Sequence, residues 1–252
     1  MLIASGFSWF HLLPGGETEG LIPGAGHYGY LFYSAWFVCL LLVLFALAAR
    51  AGLQSAMSRD GFAKYEADEA FSARTVAEVI IGGLRGLMAD NLEAKYVRSH
   101  LPLVATLALY IFCCNILAIL PGFQPPTDNI NTNVGMSIIV FCTFVGAGLI
   151  ADAVGFIKHL MGPVLLMAPL MFLIEFIGLF VRPVSLSIRL TGNIFGDHTV
   201  YNIMSGLVPI GIPVIFLALA TLVSVIQAGV FALLTTIYIA LSLPHGDHDD
   251  HH

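Results

Sequence analysis

Five runs of this chain are apolar for as long as a bilayer is thick, and that restricts it to one kind of fold. The hydrocarbon core of a membrane is about 30 Å deep, so a helix needs about 20 apolar residues to cross it. Tyr28 to Ala49, Leu101 to Leu120, and Val134 to about Ile157 each meet that length. Met161 to about Tyr201 and Pro209 to Leu243 exceed it. The pattern predicts an all-α polytopic membrane protein with five membrane-embedded helices in a single domain, residues 28–243. Charge agrees: 10% of the 252 residues are charged, where a soluble domain carries about 25%.

The connections set the shape. Arg50 closes the first span, and the chain is mixed and polar from there to His100. Within that stretch, residues 73–92 have an apolar face and polar positions at Glu78, Arg85 and Asp90. They read as a surface amphipathic helix, or alternatively as a partly buried re-entrant one. Pro121-Gly122 ends the second span, and PGFQPPTDNINTN is a loop rich in turn formers. Lys158 and His159 mark a short connection after the third. The run from Met161 is some forty residues, twice a perpendicular crossing, and its only candidate break is Arg182-Pro183. One long, tilted, kinked helix is the preferred reading. Gly206, Pro209, Gly211 and Pro213 form the turn before the last helix. The two elements, about 161–243, make a tilted hairpin suited to a curved partner.

Seven of the ten basic residues (Arg50, Arg59, Lys64, Arg74, Arg85, Lys95, Arg98) lie between the first two spans, and Lys158 follows the third. The positive-inside rule then puts the N-terminus outside and the C-terminus inside, which five crossings satisfy. Residues 1–27 form an outer segment without Lys or Arg, with Trp9, Phe10 and His11 as an interfacial patch, and lack the basic start of a secretory signal. The tail, 244–252, mixes His and Asp; it is a weak metal binder or a solvated end. Cys39, Cys113, Cys114 and Cys142 lie in apolar segments without zinc spacing and read as core residues. Ten basic residues against sixteen acids give no reason to expect nucleic acid as a partner, and no cofactor or metal is called for.

Arg189 is the residue that asks for a function. It has no carboxylate within a helical turn, and apolar or weakly polar sequence continues on both sides. A charge at bilayer depth costs about 2.5–3.5 kcal/mol on insertion scales, so such a residue usually faces a water cavity or a partner and marks an ion path. The alternative is a snorkelling arginine near a helix end, which suits Arg182 better. Ser185, Arg189 and Asn193 step by four and share a face; Asp197 lies about 80° round from Arg189, and His198 points away. Glu175, fourteen residues before Arg189, returns near the same face and reads as a proton-path carboxylate. Asp197 and His198 form a relay, or His198 bonds a backbone carbonyl. Asp152 lies nearer the inner surface, where it is solvated or part of the path. On the last helix Ser224, Gln227 and Tyr238 share a face, flanked by Thr235. Gln227 either serves the path or bonds a neighbouring helix, worth about 0.6–2 kcal/mol.

These residues carry a resemblance. RPVSLSIRLTGNIFG, NILAILPGFQPPT (Asn115–Thr127) and IQAGVFALLTTIYI (Ile226–Ile239) are similar to the signature stretches of subunit a of the F-type ATP synthase. The similarity runs from about Leu101 to Leu243, and loosely before that, and suits a bacterial inner membrane protein. It implies that the tilted hairpin embraces a ring of c subunits, each with one membrane carboxylate. Protons enter one half-channel, ride the ring and leave by another. It implies that Arg189 is the essential arginine, that Asn193 and Gln227 are the family's asparagine and glutamine, and that Glu175 is its carboxylate. It implies as partners the c-ring, the b subunit of the peripheral stalk and the rest of the complex, besides the lipid.

The physics of Arg189 fits that role. A guanidinium is a permanent cation. Set beside a ring carboxyl it forces proton release, and it repels protons that would leak between half-channels. No GxxxxGK[ST] occurs, so nucleotide chemistry belongs to another subunit. The chain departs from the family where a glutamate often stands: it has His198, with Ala220 at the matching place on the last helix and Asp197 as the substitute acid. Thr191 stands where many members have phenylalanine. The competing readings are a stand-alone ion channel or secondary transporter, although no internal repeat is found, and an inert membrane anchor, for which Arg189 is needlessly costly.

Overall fold

The computed structural model describes residues 29–57, 72–120, 123–161, 168–207 and 212–243. The outer segment, the interfacial patch and the His/Asp tail lie outside the described residues, as do Arg59 and Lys64 and most of the turn before the last helix.

Among the described residues the regular structure is helical. Six α-helices follow in order: α1 (Gly29–Met57), α2 (Ala73–Ala89), α3 (Ala94–Ile119), α4 (Ile130–Met161), α5 (Ala168–Leu207) and α6 (Ile212–Ser242), with a 3-10 turn at Pro126–Asp128 before α4. All but α2 are long and apolar enough to cross a membrane.

Several helices outrun their apolar runs. α1 does not stop at Arg50 but continues to Met57, because Ala51, Leu53, Gln54, Ala56 and Met57 are good helix formers and outweigh Gly52. α3 starts at Ala94, ahead of the apolar stretch, and passes through Pro102. α4 starts at Ile130 because the Asn129 carboxamide oxygen accepts from the Asn131 N–H at 2.9 Å, holding the entry turn. α5 passes unbroken through Pro183, as membrane helices allow when neighbours supply the lost hydrogen bond. The break falls in α4 instead. Asp152 leaves helical geometry (φ −160°, ψ 95°), and its carboxylate accepts from the Gly155 N–H at 3.0 Å. A side chain that competes for backbone N–H groups starts a new helical segment, which carries the chain over Lys158 and His159 to Met161.

The core lies between α3, α4, α5 and α6. Its fully buried members include Ile111, Phe144, Leu186, Leu190, Phe231 and Ile239. Phe144 meets the Phe141 ring edge-on at 5.4 Å and the Tyr238 ring at 6.0 Å. α1 is held more lightly, through Val38 against Cys114 and Leu117 of α3. α2 packs on α1, α3 and α6. Ser72 caps it by accepting from the Arg74 N–H, Met88 is its anchor in the core, and Arg74 pairs with Glu78 at 2.7 Å. A Cβ on Gly148 would meet both the Phe156 ring and the Ser242 carbonyl at 2.7 Å, so only glycine allows α4 and α6 to approach there.

Candidate functional site

α5 packs against α4 on one side and α6 on the other, and this decides which of its polar residues are inside. Leu179, Leu186, Leu190 and Ile194 are buried and mark the inner face. Val181, Val184, Ile188 and Phe195 are more than half exposed and mark the outer one. Arg189 lies on that outer face and is exposed. Among the described residues it has no ion-pair partner. Nothing within 4 Å crowds the positions of Gly178, Gly192 and Gly196, so the face around the guanidinium is open as well as apolar.

A step of four residues turns a helix by about 40°, so the polar stripe rotates as it climbs. Ser185 and Arg189 are exposed; Asn193 is half-buried in the seam with α6. There the Asn193 Nδ2 donates to Gln227 Oε1 at 2.6 Å. Gln227 is 4% exposed, and its own Nε2 has no protein partner among the described residues. The arginine thus has a cross-helix amide pair as its neighbour, one turn along.

The other sequence-predicted residues divide. Ser224 and Tyr238 face inward on α6 with Gln227; the Ser224 hydroxyl donates to its own Ala220 carbonyl at 2.8 Å. Glu175 is half-buried two turns before Arg182, and Arg182 precedes Arg189 by two turns, so the three charges lie in one column on α5. Arg182 is half-buried, its guanidinium 5.6 Å from the centroid of the Tyr238 ring, where cation–π attraction holds it. Asp197 is half-buried near the far end of α5. His198 lies on α5, with its side chain outside the described residues. Asp152 is exposed at the α4 break and serves the Gly155 N–H there.

The structure also assembles polar groups that sequence reasoning passed over. Asn133, 0% exposed, donates from Nδ2 to the Thr127 carbonyl and to Thr191 Oγ1, both at 2.8 Å. Thr191 in turn donates to the Ser187 carbonyl at 3.0 Å. Asn115 Oδ1, Gln124 Oε1, Asn133 Oδ1, Ser137 Oγ and Ser187 Oγ are buried without a protein partner among the described residues. Buried polar atoms of folded proteins nearly always find a partner, and water takes that place where protein does not. The signal available in the sequence was the pair of four-residue steps, Asn133–Ser137 and Ser187–Thr191, each a polar stripe on an apolar helix.

The profile of the family described as ATP synthase A chain matches residues 31–240. A protein of Geotalea daltonii named ATP synthase subunit a is 39% identical over 237 residues, 94% of either chain. One of Pelobacter propionicus, ATP synthase subunit a 1, is 40% identical over 215 residues, 82% of this chain and 85% of that one. One of Bdellovibrio bacteriovorus, ATP synthase subunit a, is 35% identical over 229 residues, 90% of this chain and 97% of its own.

Proposed function

The chain belongs to the ATP synthase A chain family, and from that premise we propose that Arg189 is the fixed charge against which a ring of carboxylates turns. Membership makes the chain a non-catalytic, proton-translocating membrane subunit and sets aside the free-standing channel, the transporter and the inert anchor. The observation that carries the rest is the setting of Arg189: an exposed cation on an apolar, open helix face, without an ion-pair partner among the described residues. A guanidinium in such a place is stable only beside water or a passing anion.

The partners on this reading are the c-ring on the Arg189 face, the b subunit, the rest of the complex and the lipid. The chain sits in a bacterial inner membrane with its N-terminus outside and α2 along the inner surface, where Arg85, Lys95 and Arg98 collect. Protons reach the ring from outside through the hydrated oxygens of Asn115, Gln124, Ser137 and Ser187, with Asp197 and His198 at the outer end of α5 and Asn193, Gln227 and Ser224 nearer Arg189. They leave past Glu175 and Tyr238, with Asp152 at the inner surface.

Two experiments test this. In a cysteine-free background, Ile188→Cys on the exposed face should crosslink to c subunits, and Leu190→Cys, buried, should not. Equal crosslinking of both, or none from Ile188→Cys, places the ring elsewhere. The outer path is tested separately. Asp197→Asn and His198→Ala should each slow proton flux and move its pH dependence. Wild-type behaviour in both would remove this pair from the path.

A further inference from the structure

An essential arginine on a long helix works only if the helix cannot roll, and the contacts of Thr191 bear on that. Successive residues advance by 100°, so Thr191 lies about 200° round from Arg189, at the opposite edge of the exposed face of α5 and in the seam with α4. We propose that the Asn133–Thr191 hydrogen bond is a clamp that fixes the rotation of α5 and so aims Arg189 outward. This inference rests on the reading of Arg189 given above.

The clamp is built to resist movement. The Thr191 hydroxyl has one proton, and it is committed to the Ser187 carbonyl, so a lone pair is left to accept from Asn133. Asn133 spends its second Nδ2 proton on the carbonyl of Thr127, in a turn whose backbone is stiffened by Pro125 and Pro126. α5 is therefore tied through Asn133 to a rigid loop as well as to α4. On the other side, Asn193 and Gln227 tie it to α6, about 40° round from Arg189. A roll in either direction displaces both attachments. A roll of only about 20° carries a side chain at the helix periphery by about 2 Å. Displacements of that size are costly where charges must meet. The two attachments are 58 and 34 residues apart in sequence, so each is a tertiary contact and not a local preference.

The test compares a near-isosteric substitution that loses the hydroxyl with one that keeps it, in the assembled ATP synthase in inside-out membrane vesicles. Thr191→Val removes the acceptor and Thr191→Ser keeps it. The readout is protons pumped per ATP hydrolysed, normalised to the amount of assembled complex. Thr191→Val should assemble at wild-type amounts and lose about tenfold in that ratio, with a raised passive proton leak. Thr191→Ser should pump as wild type. Asn133→Leu should match Thr191→Val, and the double variant should be no worse than either single one. The proposal fails if Thr191→Val keeps the wild-type ratio, if Thr191→Ser is as impaired as Thr191→Val, or if the two losses add. It also fails if neither Thr191→Val nor Asn133→Leu assembles, since the contact would then be needed for folding instead of aim. Arg189→Ala run alongside separates the two levels: if it still pumps, the reading beneath the clamp is what has failed.

Discussion

Arg189→Ala is expected to abolish ATP-driven proton pumping while the soluble ATPase activity of the complex survives. The size of the effect follows from charge. Two opposite charges about 4 Å apart interact by about 4 kcal/mol at an effective dielectric constant of 20. That is about three powers of ten in the equilibrium or rate that depends on it. On the proposed reading, a ring carboxyl without the cation would have no cause to release its proton at this point, and nothing would separate the two half-channels. The exposed setting of Arg189 supports the specificity of the effect. Its side chain is not part of the core, so the bundle should still form when it is removed. Arg189→Lys should recover little, because an ammonium lacks the planar fork that pairs with a carboxylate on two sides. Pumping by Arg189→Ala at the wild-type rate would refute the assignment.

The second large effect is expected at Gln227. Its Oε1 accepts the 2.6 Å hydrogen bond from Asn193, and the residue is buried between helices. Gln227→Leu keeps the volume and removes the acceptor, stranding an amide in the seam beside Arg189. An unsatisfied buried amide costs about 1–3 kcal/mol. Proton flux through the assembled complex should fall about tenfold or more, and Gln227→Glu, which retains acceptor oxygens, should lose less. Equal loss in the two variants would mean that shape at this position matters and hydrogen bonding does not. Asn193→Leu should reproduce Gln227→Leu, because both cut the same bond.

What the sequence could and could not reveal divides along physical lines. The five spans were legible because apolar length is a local property, and Arg189 stood out because it has no carboxylate within a helical turn and apolar or weakly polar sequence on both sides. Helix ends were less so. α1 runs on past Arg50, and α4 begins before Val134, since a helix ends where capping and tertiary packing end it and not where hydrophobicity does. The long run through Pro183 is one helix, as preferred from the sequence, and the break that the sequence did not mark is at Asp152. A proline in a packed membrane helix costs less than its reputation, and an aspartate can compete with the helix for its own N–H groups.

The site was legible one residue at a time, and its assembly was not. Spacing put Asn193 near Arg189 and Gln227 near Ser224, but no periodicity within one helix says which helices meet. The bond from Asn193 to Gln227 exists because α5 and α6 are adjacent, and that is decided by the buried leucines and phenylalanines between them. Thr191 stood out only as a departure from the family pattern, and no role could be read for it, for the same reason. Its partner Asn133 is on another helix and reads, in sequence, as the end of a loop.

One distance tests the central claim most directly: that from the Arg189 guanidinium to the nearest c-ring carboxylate in a structure of the intact complex. The account predicts that in at least one rotational state a ring carboxylate comes within about 4–6 Å, the range over which one charge controls another group's protonation. A ring seated on any other face, with Arg189 turned to lipid or to bulk water, would contradict it.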